Sequence, residues 1–247
     1  MILPNSKDAF HKAQLYRLLT EIIDNPMLAA SLSFKGDTCA TMLGYLDRFS
    51  VDLDFDLKPG SKPKEIRREL QEIFKELDLA IKDESKNVLQ FFLRYKANDP
   101  NQRNTIKLDI LDSAAKSNIY KPQNLLEIDR IFECQTIETM FANKLVALID
   151  RHEKNTTIAG RDVYDIHHFF MSSYSYNEKV IIERTKKNLP DFFEKLILFI
   201  EERITRNILQ QDLNTFLPAE SFSQKVKFLK EETLVFLKDE LKRTNAG

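Results

Sequence analysis

The chain has 247 residues, 43% of them hydrophobic and 30% charged, with a formal net charge of −1. This composition supports a sizeable core and excludes an intrinsically disordered chain. No apolar run reaches the roughly 18–20 residues that cross a bilayer, and the near-neutral charge leaves only a local basic surface to attract nucleic acid. The two cysteines, Cys39 and Cys134, make no disulfide framework, and Met1–Ser6 lacks the apolar core of a signal peptide. Reduced thiols in a cytoplasmic protein with no membrane partner are therefore expected.

Residues 7–23 read as an amphipathic helix with Leu15, Leu18, Leu19, Ile22 and Ile23 on one stripe, stopped by Asn25-Pro26. Leu32-Ser33-Phe34 reads as a short strand ending at Gly36, followed by a helix from about Thr38 to Leu46. Next comes Val51-Asp52-Leu53-Asp54-Phe55-Asp56-Leu57, in which apolar and acidic residues alternate without a break. A strand places the four apolar residues on one face and the aspartates on the other. Lys58-Pro59-Gly60 is a turn, and residues 63–77 have strong helical periodicity. Strand character returns at Leu79–Asp83, Val88–Lys96 and Thr105–Leu111, with a turn at Asn98-Asp99-Pro100-Asn101 and a further short strand at Arg130–Cys134. After Thr136 the pattern is helical, over about 137–152, 161–172, 177–187, 190–206 and 222–243. The expected fold class is α+β: an α/β lobe over 1–130, then a helical C-terminal lobe over 131–247.

The acidic strand is the candidate chemical centre. Like charges crowded on one strand face are unfavourable unless something positive meets them. Magnesium takes oxygen ligands, often one or two carboxylates together with substrate phosphates. Asp52 and Asp54 can reach one ion cluster, and Asp109, which interrupts an apolar strand beside Lys107, is the candidate third carboxylate. Such an arrangement can align an attacking oxygen with a nucleotide phosphate. From the residues alone, an edge strand with a solvated acidic face stands equally well. Gly36-Asp37-Thr38 leads a strand into a helix, whose N-terminal amides can bind phosphate, although a turn glycine with a helix cap explains it too. Lys144 lies within or beside the apolar stripe Ile137, Met140, Phe141, Leu145 and Leu148, so it either snorkels to water or meets an anion. Asp162 and Asp165 open the next helix, where capping is the default role. No P-loop, dinucleotide fingerprint or zinc-protease helix is present.

Taken together, Gly36-Asp37-Thr38, then Arg48-Phe49-Ser50-Val51-Asp52-Leu53-Asp54-Phe55, with Thr105–Ile110, Ala142-Asn143-Lys144-Leu145 and Arg161-Asp162-Val163-Tyr164-Asp165 in order, resemble the AbiEii-type nucleotidyltransferase toxins over roughly residues 30–170. The resemblance implies a DNA-polymerase-β-like nucleotidyltransferase lobe joined to a helical lobe. It implies Mg²⁺ or Mn²⁺ on Asp52 and Asp54, an NTP substrate (GTP is the one linked to such members), and a triphosphate contact by Lys144. Asp162 would assist at the active site, and Gly36, Thr38, Arg48 and Ser50 would flank the nucleotide. Toxins of this kind belong to bacterial toxin–antitoxin or phage-abortive systems, so a protein antitoxin is the implied partner. Relatives modify the acceptor end of tRNA, which makes tRNA the first expected acceptor and a protein hydroxyl the second. Two alternatives are a nucleotidyltransferase acting on a small antibiotic-type molecule and a non-catalytic nucleotide-binding interaction protein. The chain departs from the family pattern at Asp37, where a second Gly is usual. A carboxylate there would repel a triphosphate unless it is turned away or bridged.

Overall fold

The structure, a computed structural model, describes residues 1, 3–97 and 103–246. The expected turn at Asn98-Asp99-Pro100-Asn101 lies outside the described residues. The chain divides into two compact units. The first comprises Met1–Ala114 and Tyr120–Gln135, and the second Ala115–Ile119 and Thr136–Gly247. A boundary at 130/131 falls at the start of the strand Arg130–Gln135, which belongs wholly to the first unit.

The first unit begins with α1 (Asp8–Asp24), whose buried stripe is the expected leucine–isoleucine face. Asn25 ends it and starts another helix. The Asn25 side chain accepts from the amides of Met27 and Leu28, and Pro26 fills the first turn of α2 (Pro26–Ser31). The unit continues through β1 (Leu32–Lys35), α3 (Gly36–Met42), β2 (Leu53–Leu57) and α4 (Pro63–Glu76). Then come β3 (Ala80–Glu84), β4 (Leu89–Arg94), β5 (Thr105–Leu111), β6 (Tyr120–Leu125) and β7 (Arg130–Gln135). The seven strands form one mixed sheet in the order β3-β4-β5-β2-β1-β7-β6. The β2–β5 and β1–β7 pairs are parallel, and the other pairs are antiparallel.

Period-two alternation makes this sheet two-faced. Phe34, Phe55, Leu108 and Phe91 are fully buried on one face, and ring pairs such as Phe34–Phe55 and Phe74–Phe91, both 5.2 Å between centroids, knit the strands to each other and to α4. The opposite face carries the acidic row. Cys39 on α3 and Cys134 on β7 are buried free thiols. The outermost strands differ from the rest: β3 is exposed along its whole length and has a register shift between Ile81 and Asp83, and β6 contains Pro122.

The second unit is helical: α5 (Ile137–Asn155), α6 (Gly160–Met171), α7 (Glu178–Thr185), α8 (Leu189–Arg203), α9 (Arg206–Leu213) and α10 (Ala219–Ala246). Thr136 caps α5, and Asn177, Asn188 and Thr205 cap α7, α8 and α9 through their side chains. Phe141 packs edge-on against Phe169, Phe170 and Tyr176 at the centre of this core. Gly160 sits where α6 meets α9, and a Cβ there would lie 3.0 Å from the Ile208 carbonyl. No described helix is long and apolar enough to cross a membrane.

Candidate active site

The strand register places one polar row across four strands. Lys35 on β1 faces Asp54 on β2, Asp54 faces Asp109 on β5, and Asp109 faces Gln90 on β4. Asp52 lies just before β2, half-buried like Asp54. Burial, followed by the charges of Asp52 and Asp37, pushes the Asp54 carboxyl up from 3.8 to about 7, while Lys35 and Lys107 pull against that shift. Asp109 is already engaged, because its Oδ2 accepts from Lys107 Nζ at 2.6 Å and from Gln90 Nε2 at 3.2 Å.

The turn from β1 into α3 wraps around Asp54. Gly36 has φ +78°, a conformation that favours glycine, and a Cβ there would lie 2.4 Å from Asp54 Oδ2. The carboxylate fills the space that any side chain at this position would take.

The other motif residues of this unit face inward. Thr38 is fully buried, with Oγ1 donating to the Asp52 carbonyl at 2.5 Å and lying 2.7 Å from Ser50 Oγ. Arg48 is 1% exposed and donates to Asp37 Oδ2 at 2.6 Å and to the Phe49 carbonyl at 3.0 Å. Thr41 Oγ1 lies 2.8 Å from the Asp37 carbonyl and 3.3 Å from that of Arg48. Thr38, Arg48 and Ser50, expected to flank the nucleotide, spend these polar atoms on stitching α3 to the segment that carries Asp52. A bidentate cation and three hydroxyls suit such a seam, because buried polar groups must find partners. Asp37 is the partner that the sequence did not reveal. Its charge is met by Arg48, eleven residues on in an irregular segment with no periodicity to betray the pairing.

Asp56, the third aspartate of the row, is 2% exposed. Lys35 Nζ holds one oxygen at 2.5 Å, and Tyr120 Oη and Gln135 Nε2 hold the other at 2.6 and 2.7 Å. At the back of the strand, His11 reaches the Val51 carbonyl with Nε2 at 3.0 Å and the Tyr95 hydroxyl with Nδ1 at 2.7 Å. Burial lowers the His11 pKa from 6.5 to about 4.

In the second unit Lys144 meets an anion rather than snorkelling. Its ammonium lies 3.1 Å from Asp162 Oδ1 and 3.0 Å from Asp165 Oδ2, and both carboxylates are fully buried. Arg151 approaches the other Asp162 oxygen at 3.2 Å. Asp162 and Asp165 are one turn apart on α6, so both face α5. Asp165 and Arg151 belong to this cluster as much as the two expected members.

The residues of the first unit suit a hard divalent cation. Among the described residues no three His, Cys, Asp or Glu side chains form a ready metal cage. Asp52 and Asp54 would supply the one or two carboxylates that magnesium takes when substrate phosphates complete its shell. A carboxyl held near pH 7 by burial and by neighbouring like charge is relieved by such an ion.

The family model for the nucleotidyl transferase AbiEii toxin of type IV toxin–antitoxin systems matches residues 17–227. The chain belongs to the AbiEii nucleotidyltransferase toxin family. It is thus a nucleotidyltransferase, and membership implies an NTP substrate and an antitoxin partner. Among solved structures, JHP933 from Helicobacter pylori is 21% identical over 99% of this chain and 99% of its own, with a TM-score of 0.55. MenT4, a nucleotidyltransferase toxin from Mycobacterium tuberculosis H37Rv, is 17% identical over 96% of this chain and 87% of its own, also with a TM-score of 0.55. At such identities the likeness is one of fold, and it bears out the α+β nucleotidyltransferase architecture. No curated protein matches this AbiEii-family chain.

Proposed function

We propose that this AbiEii-family enzyme uses Mg²⁺ or Mn²⁺ at Asp52 and Asp54 to transfer a nucleotidyl group from an NTP to an RNA hydroxyl, with tRNA as the first acceptor to test. The supporting observation is Asp54, wrapped by the Gly36 turn and pushed up to about 7 by burial and by the neighbouring charge of Asp52. Bound metal would offset phosphate charge as the acceptor oxygen attacks and pyrophosphate leaves. The chain's own part is to hold two carboxylates in fixed register through Thr38, Ser50 and His11. Electrostatic preorganisation of this kind is commonly the largest part of catalysis.

Asp109 is the proposed third carboxylate, although Lys107 competes for the oxygen it would offer. Lys144 and Asp162 enter through their family motif. In this reading Asp162 and Asp165 aim an ammonium that contacts the triphosphate. Arg48 pairs with the Asp37 carboxylate, which offsets part of the repulsion a triphosphate would meet there.

The test is incubation of the purified chain with Mg²⁺, each α-labelled NTP in turn, and total tRNA. Label on tRNA, lost in Asp52→Ala, is the expected result. Label on neither tRNA nor other RNA, with transfer to a small acceptor instead, would overturn the RNA assignment.

A further inference from the structure

The sequence shows three aspartates on one strand face, and the structure gives the third a different task. Both oxygens of Asp56 are occupied, one by Lys35 and the other by Tyr120 and Gln135. Its side chain is 3% exposed, so it offers nothing to a metal. What Asp56 does is moor Lys35. Lys35 ends β1, faces Asp54 in the strand register, and precedes the glycine whose turn wraps around the Asp54 carboxylate. The acidic pair attracts cations, and one cation already stands beside it on a tether.

We propose that Lys35, anchored by Asp56, is a positioning residue acting through Asp54: a resident counter-cation that weakens metal binding to the nucleotide-free protein, so that metal enters together with the triphosphate. This inference rests on the metal centre proposed above. Its physical basis is Coulombic. A dication brought beside an ammonium is opposed at short range, and the opposition is stronger in a partly desolvated site than in water. A triphosphate reverses that balance, because its own negative charge attracts both the dication and Lys35. The anchored geometry matters, because an ammonium on a loose four-carbon stem would swing away into solvent. Lys107, the other cation that acts on Asp54, is held by Asp109 and remains in place in every variant below.

The experiment measures Mn²⁺ binding to the purified full chain by the EPR signal of free Mn²⁺, without nucleotide and with the α,β-imido analogue of each NTP. Lys35→Met, without nucleotide, is expected to bind Mn²⁺ at least ~5-fold more tightly than the parent. Lys35→Arg, which keeps the charge on the Asp56 anchor, should match the parent. With the preferred analogue the difference between parent and Lys35→Met should narrow. Tighter binding in Lys35→Met separates this role from a structural one, since damage to the fold would weaken binding. If Lys35→Met does not fold, the double variant Lys35→Met/Asp56→Asn leaves no buried unpaired ion and must bind more tightly than Asp56→Asn alone. Unchanged or weaker binding in Lys35→Met, with Mn²⁺ still taken up by the parent plus analogue, overturns this inference and leaves the proposed function standing. No Mn²⁺ uptake by the parent under any condition overturns the metal centre, and this inference with it.

Discussion

The Arg48 guanidinium, 1% exposed, donates to the Asp37 carboxylate at 2.6 Å. Asp37 is where this chain departs from the usual family glycine, and Arg48 is the group that makes the departure tolerable. Removing one member of a buried pair strands the other charge, at roughly 3–5 kcal/mol. Arg48→Met is therefore expected to lower urea stability by about that amount, and Asp37→Ala likewise, because Arg48 has nowhere to reach water. The double variant Arg48→Met/Asp37→Ala should lose much less than the sum of the two single losses. Additive losses in the double-mutant cycle would show that the two side chains act independently.

Asp54 links the site to stability. Its folded pKa of about 7 lies above the usual 3.8, so the native state holds the proton more firmly than the unfolded chain does. Stability from this group is fully present below pH 4 and is lost as pH rises through 7. Asp54→Asn should raise the metal-free melting temperature at pH 8, with a smaller gain at pH 5 and none below pH 4. A gain that is the same at both pH values would contradict the assignment. Activity should be abolished at either pH.

His11 gives the opposite slope. Burial lowers its pKa from 6.5 to about 4, so the unfolded chain takes the proton first. Its contribution to stability is present above pH 6.5 and is lost as pH falls towards 4. The urea midpoint measured from pH 7 to pH 4 should fall more steeply in the parent than in His11→Gln. Parallel curves would show that His11 does not titrate in this window.

Gly36→Ala places a methyl group where Asp54 Oδ2 lies, on a backbone with φ +78°. The conformation alone is unfavourable for an L side chain by about 1–2 kcal/mol. The expected result is a moderate loss of stability with a much larger loss of transfer activity, since the displaced group is a proposed metal ligand. Activity close to the parent's would place Asp54 outside the reaction.

In the proposed reading Lys144 carries two duties in one side chain. Lys144→Ala takes the ammonium away from two buried carboxylates, Asp162 and Asp165, so it should lower stability by roughly 3–5 kcal/mol as well as activity. Lys144→Arg keeps the charge and should retain most of the stability. Comparing the two separates ion pairing from chemistry, provided circular dichroism shows each variant folded.

The sequence was legible wherever one period dominated. α1, α4 and β5 stand where their periodicities put them, because each buries a single clean face. α2 was hidden because Asn25-Pro26 ends one helix and caps the next in the same two residues. β6 reads Tyr-Lys-Pro-Gln-Asn-Leu, with no alternation, and exists because β7 offers it a ladder. The helix expected over 190–206 overran α8 because Ile204, extended after it, is as buried as a helical isoleucine would be, and α9 went unread. At the site, alternation exposed Asp52 and Asp54 but could not tell Asp56 from them. Its difference lies in donors on β1, β6 and β7, far apart in sequence and joined only by the sheet order.

That sheet order has a further consequence at its two borders. β3 turns Lys82, Asp83 and Glu84 outward beside an irregular register, and β6 interrupts its outer ladder with Pro122. Neither border is a smooth template on which another chain could dock strand to strand. Copies of this chain crowded together are thereby discouraged from zipping into fibrils.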